Sequence, residues 1–169
     1  MISNTCSQPA WRWLRRDHTV SLFNRIVVLR PPRIAMSLAA AAGILHLLFP
    51  LVVLPPSWLG GMLVAGTGFA IMLRAWWLFR KVQTPICPTH DATTLVTTDI
   101  YRITRNPMYL GIVMILLGIA IFFGTAPFYA ATALLFAILN FVFCPYEERR
   151  LRDAFRGFDT YSARVRRWI

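Results

Sequence analysis

Acidic residues are scarce in this chain: seven Asp and Glu stand against eighteen Lys and Arg among 169 residues, for a net charge of +11. Charge of either sign is also thin, at 15% of residues against 57% hydrophobic, with a mean hydropathy of +0.54. That balance excludes an ordinary soluble domain and reads as an integral membrane protein. The cationic surplus then belongs in flanks facing anionic lipid. A nucleic-acid partner is not expected, because no basic patch is interleaved with aromatics on a polar domain. The three cysteines, Cys6, Cys87 and Cys144, lack CxxC spacing, and His18, His46 and His90 form no HxxxH or HExxH cluster, so no metal site is expected. No cleavable signal peptide is expected either, since the apolar runs begin only after residue 33 and carry no small-residue cleavage pattern.

What is present is a succession of long apolar runs. Residues 1–33 are polar and Arg-rich, with Trp11, Trp13, Leu14, Leu22, Phe23, Ile26 and Val27 spaced as one face of an interfacial helix, and Pro31-Pro32 is read as a break before the first span. Four spans are predicted, at about 34–54, 58–79, 107–124 and 127–144, joined by a polar connector over 80–106 and followed by an amphipathic helical tail over 145–169, with Tyr161, Val165 and Trp168 on a membrane-facing side. The expected fold is an all-α polytopic membrane bundle. Gly60, Gly61, Gly66 and Gly68 in the second span allow close helix approach. Of the cations, six lie in the N-terminal segment, four in the connector (Arg80, Lys81, Arg102, Arg105) and seven in the tail; the turns at 55–57 and 124–126 have none. The positive-inside rule then puts both termini and the connector in the cytoplasm, and a bacterial inner membrane is the expected location. Arg74 is the one cation within a span, read as snorkelling beside Trp76 and Trp77 or as facing a substrate. His46 is expected to hydrogen-bond to neighbouring helices.

Two short patterns carry the chemistry. Asn106 is a good N-cap and Pro107 suits the first helical position, so a helix is predicted to start there with Arg105 and Tyr109 near its positive end, where an anion can bind. The same residues serve equally to cap a membrane helix. Beyond the next helical hairpin stand Glu147 and Glu148, two adjacent carboxylates just past a span. Near hydrocarbon they are costly unless they bind something positive or hydrogen-bonding, whereas in solvent they are a favourable first turn.

Together, Arg105-Asn106-Pro107-Met108-Tyr109 opening one span, Glu147-Glu148-x-x-Leu151 closing the next, and the ending Tyr161-x3-Val165-x-Arg167-Trp168-Ile169 resemble the isoprenylcysteine carboxyl methyltransferase and phospholipid methyltransferase superfamily, over about residues 84–169. The resemblance implies a membrane methyltransferase that uses S-adenosylmethionine and a lipophilic or lipid acceptor. It implies cofactor contacts at Thr94, Leu95, Val96, Tyr101, Asn106, Pro107, Met108, Tyr109 and one or both of Glu147 and Glu148, with Arg105, Glu147 and Glu148 as the catalytic candidates. Methyl transfer is an in-line displacement that rests on positioning; an amine acceptor also needs a base, for which Glu147 or Glu148 is a candidate. The chain departs from the pattern in four places. Asn106 stands where eukaryotic members have His, Asp99 where Gly is common, and Phe143 where eukaryotic carboxyl methyltransferases place an Arg for the acceptor carboxylate; the stretch from Leu151 to Tyr161 is one residue short. Two other classes stay open: a membrane reductase of the sterol-reductase type using a nicotinamide cofactor, and a non-catalytic scaffold. Neither the acceptor atom nor the oligomeric state follows from the sequence.

Overall fold

The structure, a computed structural model, describes residues 31–82 and 95–169. The expected interfacial helix over 1–33, save its last three residues, lies outside the described residues, as do connector residues 83–94, Thr94 among them.

Every element in the described residues is helical: α1 (Pro31–Leu48), α2 (Trp58–Val82), a 3₁₀ turn (Asp99–Arg102), α3 (Pro107–Phe123), α4 (Ala126–Ala154) and α5 (Phe158–Arg164). Helices α1, α2 and α4 are long and apolar enough to cross a membrane, and α3 is a shorter apolar helix of 17 residues. The protein is thus an all-α membrane bundle. Pro31-Pro32 open α1 rather than break the chain before it, because a first-turn proline needs no N–H and its fixed φ suits a helix start. The same residue type ends the helix early. Pro50 pushes Phe49 out of the helical region, so α1 stops at Leu48 and not near 54.

Helix α4 runs straight through Pro145, at which a tail was expected to begin. An interior proline removes an i→i−4 bond and clashes with the preceding turn. The helix accommodates it by widening to a π turn over Leu139–Phe143, where the Cys144 N–H reaches back five residues to the Leu139 carbonyl. The acidic pair therefore stands on a rigid extension of the last apolar helix.

Helix α2 lies antiparallel along α3, α3 packs on α4, and α4 packs on α1. Lipid chains are as apolar as the side chains, so close van der Waals contact rather than solvent exclusion holds such helices together. Two glycines on each helix supply that contact. A Cβ on Gly61 would lie 2.6 Å from the Gly118 carbonyl oxygen, and one on Gly68 would lie 2.7 Å from that of Gly111. The seven-residue spacing is the same on both helices. Gly66, also singled out by sequence, has nothing near its face, and Gly60 meets chiefly Ser57 of its own turn. His46 makes ring contacts with Phe123 and Phe128, at 5.0 and 5.8 Å between centroids, and its buried Nδ1 has no hydrogen-bond partner in the described residues.

The two uncharged turns meet at one end of the bundle. Val52 pairs with Thr125, the Val53 N–H donates to the Gly124 carbonyl at 2.9 Å, and the Ala126 N–H donates to the Leu51 carbonyl at 2.8 Å. Gly124 has φ +68°, and a Cβ there would sit 2.2 Å from the Leu54 carbonyl oxygen. Gly124→Ala combines a left-handed backbone with a backbone clash, so it should cost roughly 2–4 kcal/mol. A thermal-unfolding scan in detergent checks this, and an unchanged midpoint would refute it.

Candidate functional site

The site forms at the opposite end of the bundle, where the start of α3 meets the end of α4. Asn106 occupies the N-cap position of α3, but its side chain makes no cap hydrogen bond. Its Nδ2 instead donates to the Arg167 carbonyl at 3.3 Å, the Thr104 Oγ1 donates to that same carbonyl at 3.0 Å, and the Arg105 N–H donates to the Arg166 carbonyl at 3.0 Å. The polar groups at this helix start are therefore taken up by the last residues of the chain. Two of the tail side chains expected to face lipid bond within the protein: the Tyr161 hydroxyl donates to the Tyr101 carbonyl at 2.7 Å, and Trp168 lies tilted against Phe136 while its Nε1–H donates to Asn140 Oδ1 at 2.9 Å.

The two glutamates have different partners. Glu148 is gripped by Arg167, with Nε to Oε1 at 2.9 Å and Nη2 to Oε2 at 2.7 Å, and Arg105 Nη1 lies 3.3 Å from Oε1. Glu147 accepts a hydrogen bond from the Tyr109 hydroxyl. Burial pushes the Glu147 carboxyl up to about 7, against the opposing pull of that hydrogen bond and of Arg150. Both glutamates stand beyond the uncharged part of α4, which ends at Tyr146. Phe143, where a carboxylate-binding Arg was considered, is fully buried and meets Tyr109 edge-on at 6.3 Å between centroids.

Asp99 explains itself in the structure. Its φ is +58°, the left-handed conformation that glycine adopts freely and that Asp tolerates better than most residues. Its carboxylate pairs with Arg74, with Nε 3.3 Å from Oδ1, and that hydrogen bond holds the Asp99 carboxyl below its ordinary range. Arg74 lies over Trp77 at 5.1 Å, so it reaches the connector turn rather than a cavity. The turn delivers Tyr101, whose phenol burial raises above its ordinary value; Tyr161 is likewise pushed up to about 12, so both remain protonated donors at neutral pH.

These pieces enclose a cavity of about 70 Å³ lined by Phe79, Leu95, Val96, Tyr101, Arg105, Asn106, Glu147, Glu148, Leu151, Phe158 and Tyr161. Seven of the residues singled out by sequence thus line one cavity: Leu95, Val96, Tyr101, Arg105, Asn106, Glu147 and Glu148. Pro107 and Met108 stand behind it, Met108 packed with Val96, Tyr101, Ala75 and Leu78; Tyr109 reaches it through Glu147. Phe79, Leu151, Phe158 and Tyr161 were not among the expected contacts. Leu151 and Tyr161 belong to the quoted motifs, so their signal was present; Phe79 looks like packing in an apolar run, and Phe158 stands alone in a polar tail with no motif around it. The Arg105 Nε is buried and has no hydrogen-bond partner in the described residues. No group of three His, Cys, Asp or Glu among the described residues is arranged to hold a metal.

No curated protein and no solved structure gives a significant match to this chain. The model of the phospholipid methyltransferase family matches residues 56–157, from the start of α2 to the turn before α5, which takes in every cavity-lining residue except Phe158 and Tyr161. With more than half of its residues matched, this membrane protein belongs to the phospholipid methyltransferase family.

Proposed function

We propose that the protein transfers a methyl group from S-adenosylmethionine to a lipophilic or lipid acceptor at the cytoplasmic face of the membrane. One observation carries this reading: a single cavity brings together a buried guanidinium N–H without a partner in the described residues, a half-buried carboxylate and several aromatic faces. That donor set fits the cofactor. Its carboxylate suits Arg105, its ammonium suits Glu147, and its sulfonium and adenine suit Tyr101, Phe79 and Phe158. When bound, S-adenosylmethionine supplies an activated methyl group for in-line displacement. The chain's own residues orient and exclude water, and Glu147 can take the proton that an amine acceptor must lose.

A nicotinamide cofactor fits less well. Its pyrophosphate would bring a double negative charge against two carboxylates, beside an Arg105 already paired with Glu148. Family membership points the same way.

Calorimetric titration of detergent-purified protein with S-adenosylhomocysteine tests the reading. Saturable binding is expected, and its absence in a folded, monodisperse sample would overturn it. If the ligand ammonium prefers ionised Glu147, then with that carboxyl titrating at about 7 the binding should tighten about tenfold from pH 6 to pH 8. Glu147→Gln should bind weakly with no such slope; a slope retained in this variant would remove Glu147 from the ligand contact.

A further inference from the structure

We infer that Arg167 is a positioning residue for the cofactor site: by gripping Glu148 it fixes Arg105 at the cavity wall and leaves Glu147 as the carboxylate of the pair that meets the ligand. The inference rests on the cofactor reading above and assigns a role to the end of the chain, beyond the residues that the family match covers.

The geometry is specific to arginine. The planar fork makes two parallel bonds to Glu148, at 2.9 and 2.7 Å, and the remaining nitrogen, Nη1, reaches the Asn140 carbonyl and Oδ1, both at 3.4 Å. That carbonyl is available for a reason written in the sequence. In the five-residue register set by the Cys144 to Leu139 bond, the next donor to Asn140 would be residue 145, which is proline and has no N–H. The π turn thus presents a carbonyl for the guanidinium, and Pro145 keeps the helix from filling it.

The backbone of the same residue ties down the other wall. The Arg167 carbonyl accepts from Thr104 and Asn106, and the Arg166 carbonyl accepts from the Arg105 N–H. Arg167 therefore joins the segment before α3 to the end of α4, the two elements that contribute Arg105 and the acidic pair. Glu148 lies between two guanidinium groups and is already satisfied as an anion. Glu147 instead accepts from the neutral Tyr109 phenol, with the charge of Arg150 nearby, and is the carboxylate of the pair that Arg167 does not grip. Without Arg167, Glu148 would draw on Arg105 alone, turning that guanidinium away from a ligand carboxylate and adding an uncompensated negative charge beside Glu147.

The test is titration with S-adenosylhomocysteine of the wild type, Arg167→Gln, Arg167→Lys and Arg166→Gln. Arg166 is adjacent and exposed, so its variant controls for loss of charge in the tail. Arg167→Gln is expected to weaken binding at least tenfold, Arg167→Lys, which keeps the charge but not the fork, to recover only part of that loss, and Arg166→Gln to bind as wild type. Wild-type affinity in Arg167→Gln overturns the inference while leaving the cofactor reading intact, as does an equal loss in Arg166→Gln. Absence of binding in the wild type overturns both. Should Arg167→Gln fail to fold, Asn140→Ala removes the amide that receives Arg167 Nη1 and Trp168 Nε1 without touching the Glu148 pair. Binding weakened about threefold supports the inference, and unchanged binding refutes it.

Discussion

Glu148→Gln should lower the apparent unfolding temperature by about 10 °C, whereas Glu147→Gln should leave it within about 2 °C of wild type. Glu148 is the shared counter-ion of Arg105 and Arg167, and its side chain is 14% exposed. Neutralising it strands two guanidinium groups at once. Breaking a buried pair by removing one partner costs about 3–5 kcal/mol, because the remaining charge stays desolvated; here Arg167, with 31% of its side chain exposed, relaxes toward water and brings the figure to about 2–4 kcal/mol. Glu147 has the opposite balance. Its burial already disfavours the anion, so an uncharged isostere weakens the hydrogen bond from Tyr109 and forfeits the attraction of Arg150 but gains relief from desolvation. The two variants, equal in sequence distance and chemistry, should separate cleanly: one in stability, the other in ligand binding. Equal losses of stability in a detergent melt would contradict the division of roles.

Gly118→Leu should yield no folded, monodisperse protein, and Gly118→Ala should lose about 1–3 kcal/mol. A Cβ on Gly118 would lie 2.6 Å from both the Ala65 nitrogen and the Gly61 carbonyl oxygen, and backbone atoms cannot move aside as a flexible side chain can. The helices must separate, and dispersion contacts along α2 and α3 weaken with them. Gly66→Ala is the internal control. It lies on the facing helix α2, has nothing within 4 Å of its Cβ position, and should be neutral or stabilising, since alanine is the better helix former by about 1 kcal/mol. Separation of α2 from α3 would also displace Phe79 from the cavity, so Gly68→Ala, whose Cβ would lie 2.6 Å from that of Met114, should weaken ligand binding along with stability. Size-exclusion profiles and melts of the four variants decide the matter; a Gly118→Ala protein as stable as Gly66→Ala would show that the close approach is dispensable.

Much of the architecture was legible from composition and pattern. Apolar runs with no acidic residue admit only helices in a lipid environment, because every backbone N–H and C=O must be satisfied within its own segment. The Asn106-Pro107 start of α3 and the acidic pair beyond the last run were recognisable as one constellation, and the structure brings seven of the residues read from it to a single cavity. Proline was the least transparent residue. Pro31-Pro32 open a helix, Pro50 ends one, and Pro145 stands inside one, and these outcomes depend on whether neighbouring carbonyls find other donors.

What the sequence by itself determined is the membrane class, the helical fold and the identity of the chemical groups at the site, since these follow from hydropathy, from backbone satisfaction and from which side chains carry charge. Only the tertiary structure decided how those groups are spent. Asn106, expected to cap its helix, holds the Arg167 carbonyl instead; Arg74 pairs with Asp99 across the connector; Tyr161 and Trp168 turn inward; and Glu148 is committed to Arg105 and Arg167 while Glu147 is not. Adjacent positions in a chain have the same neighbours in sequence. A helix places successive residues about 100° apart, so two glutamates side by side can face different partners, and which one meets a cation is a matter of packing.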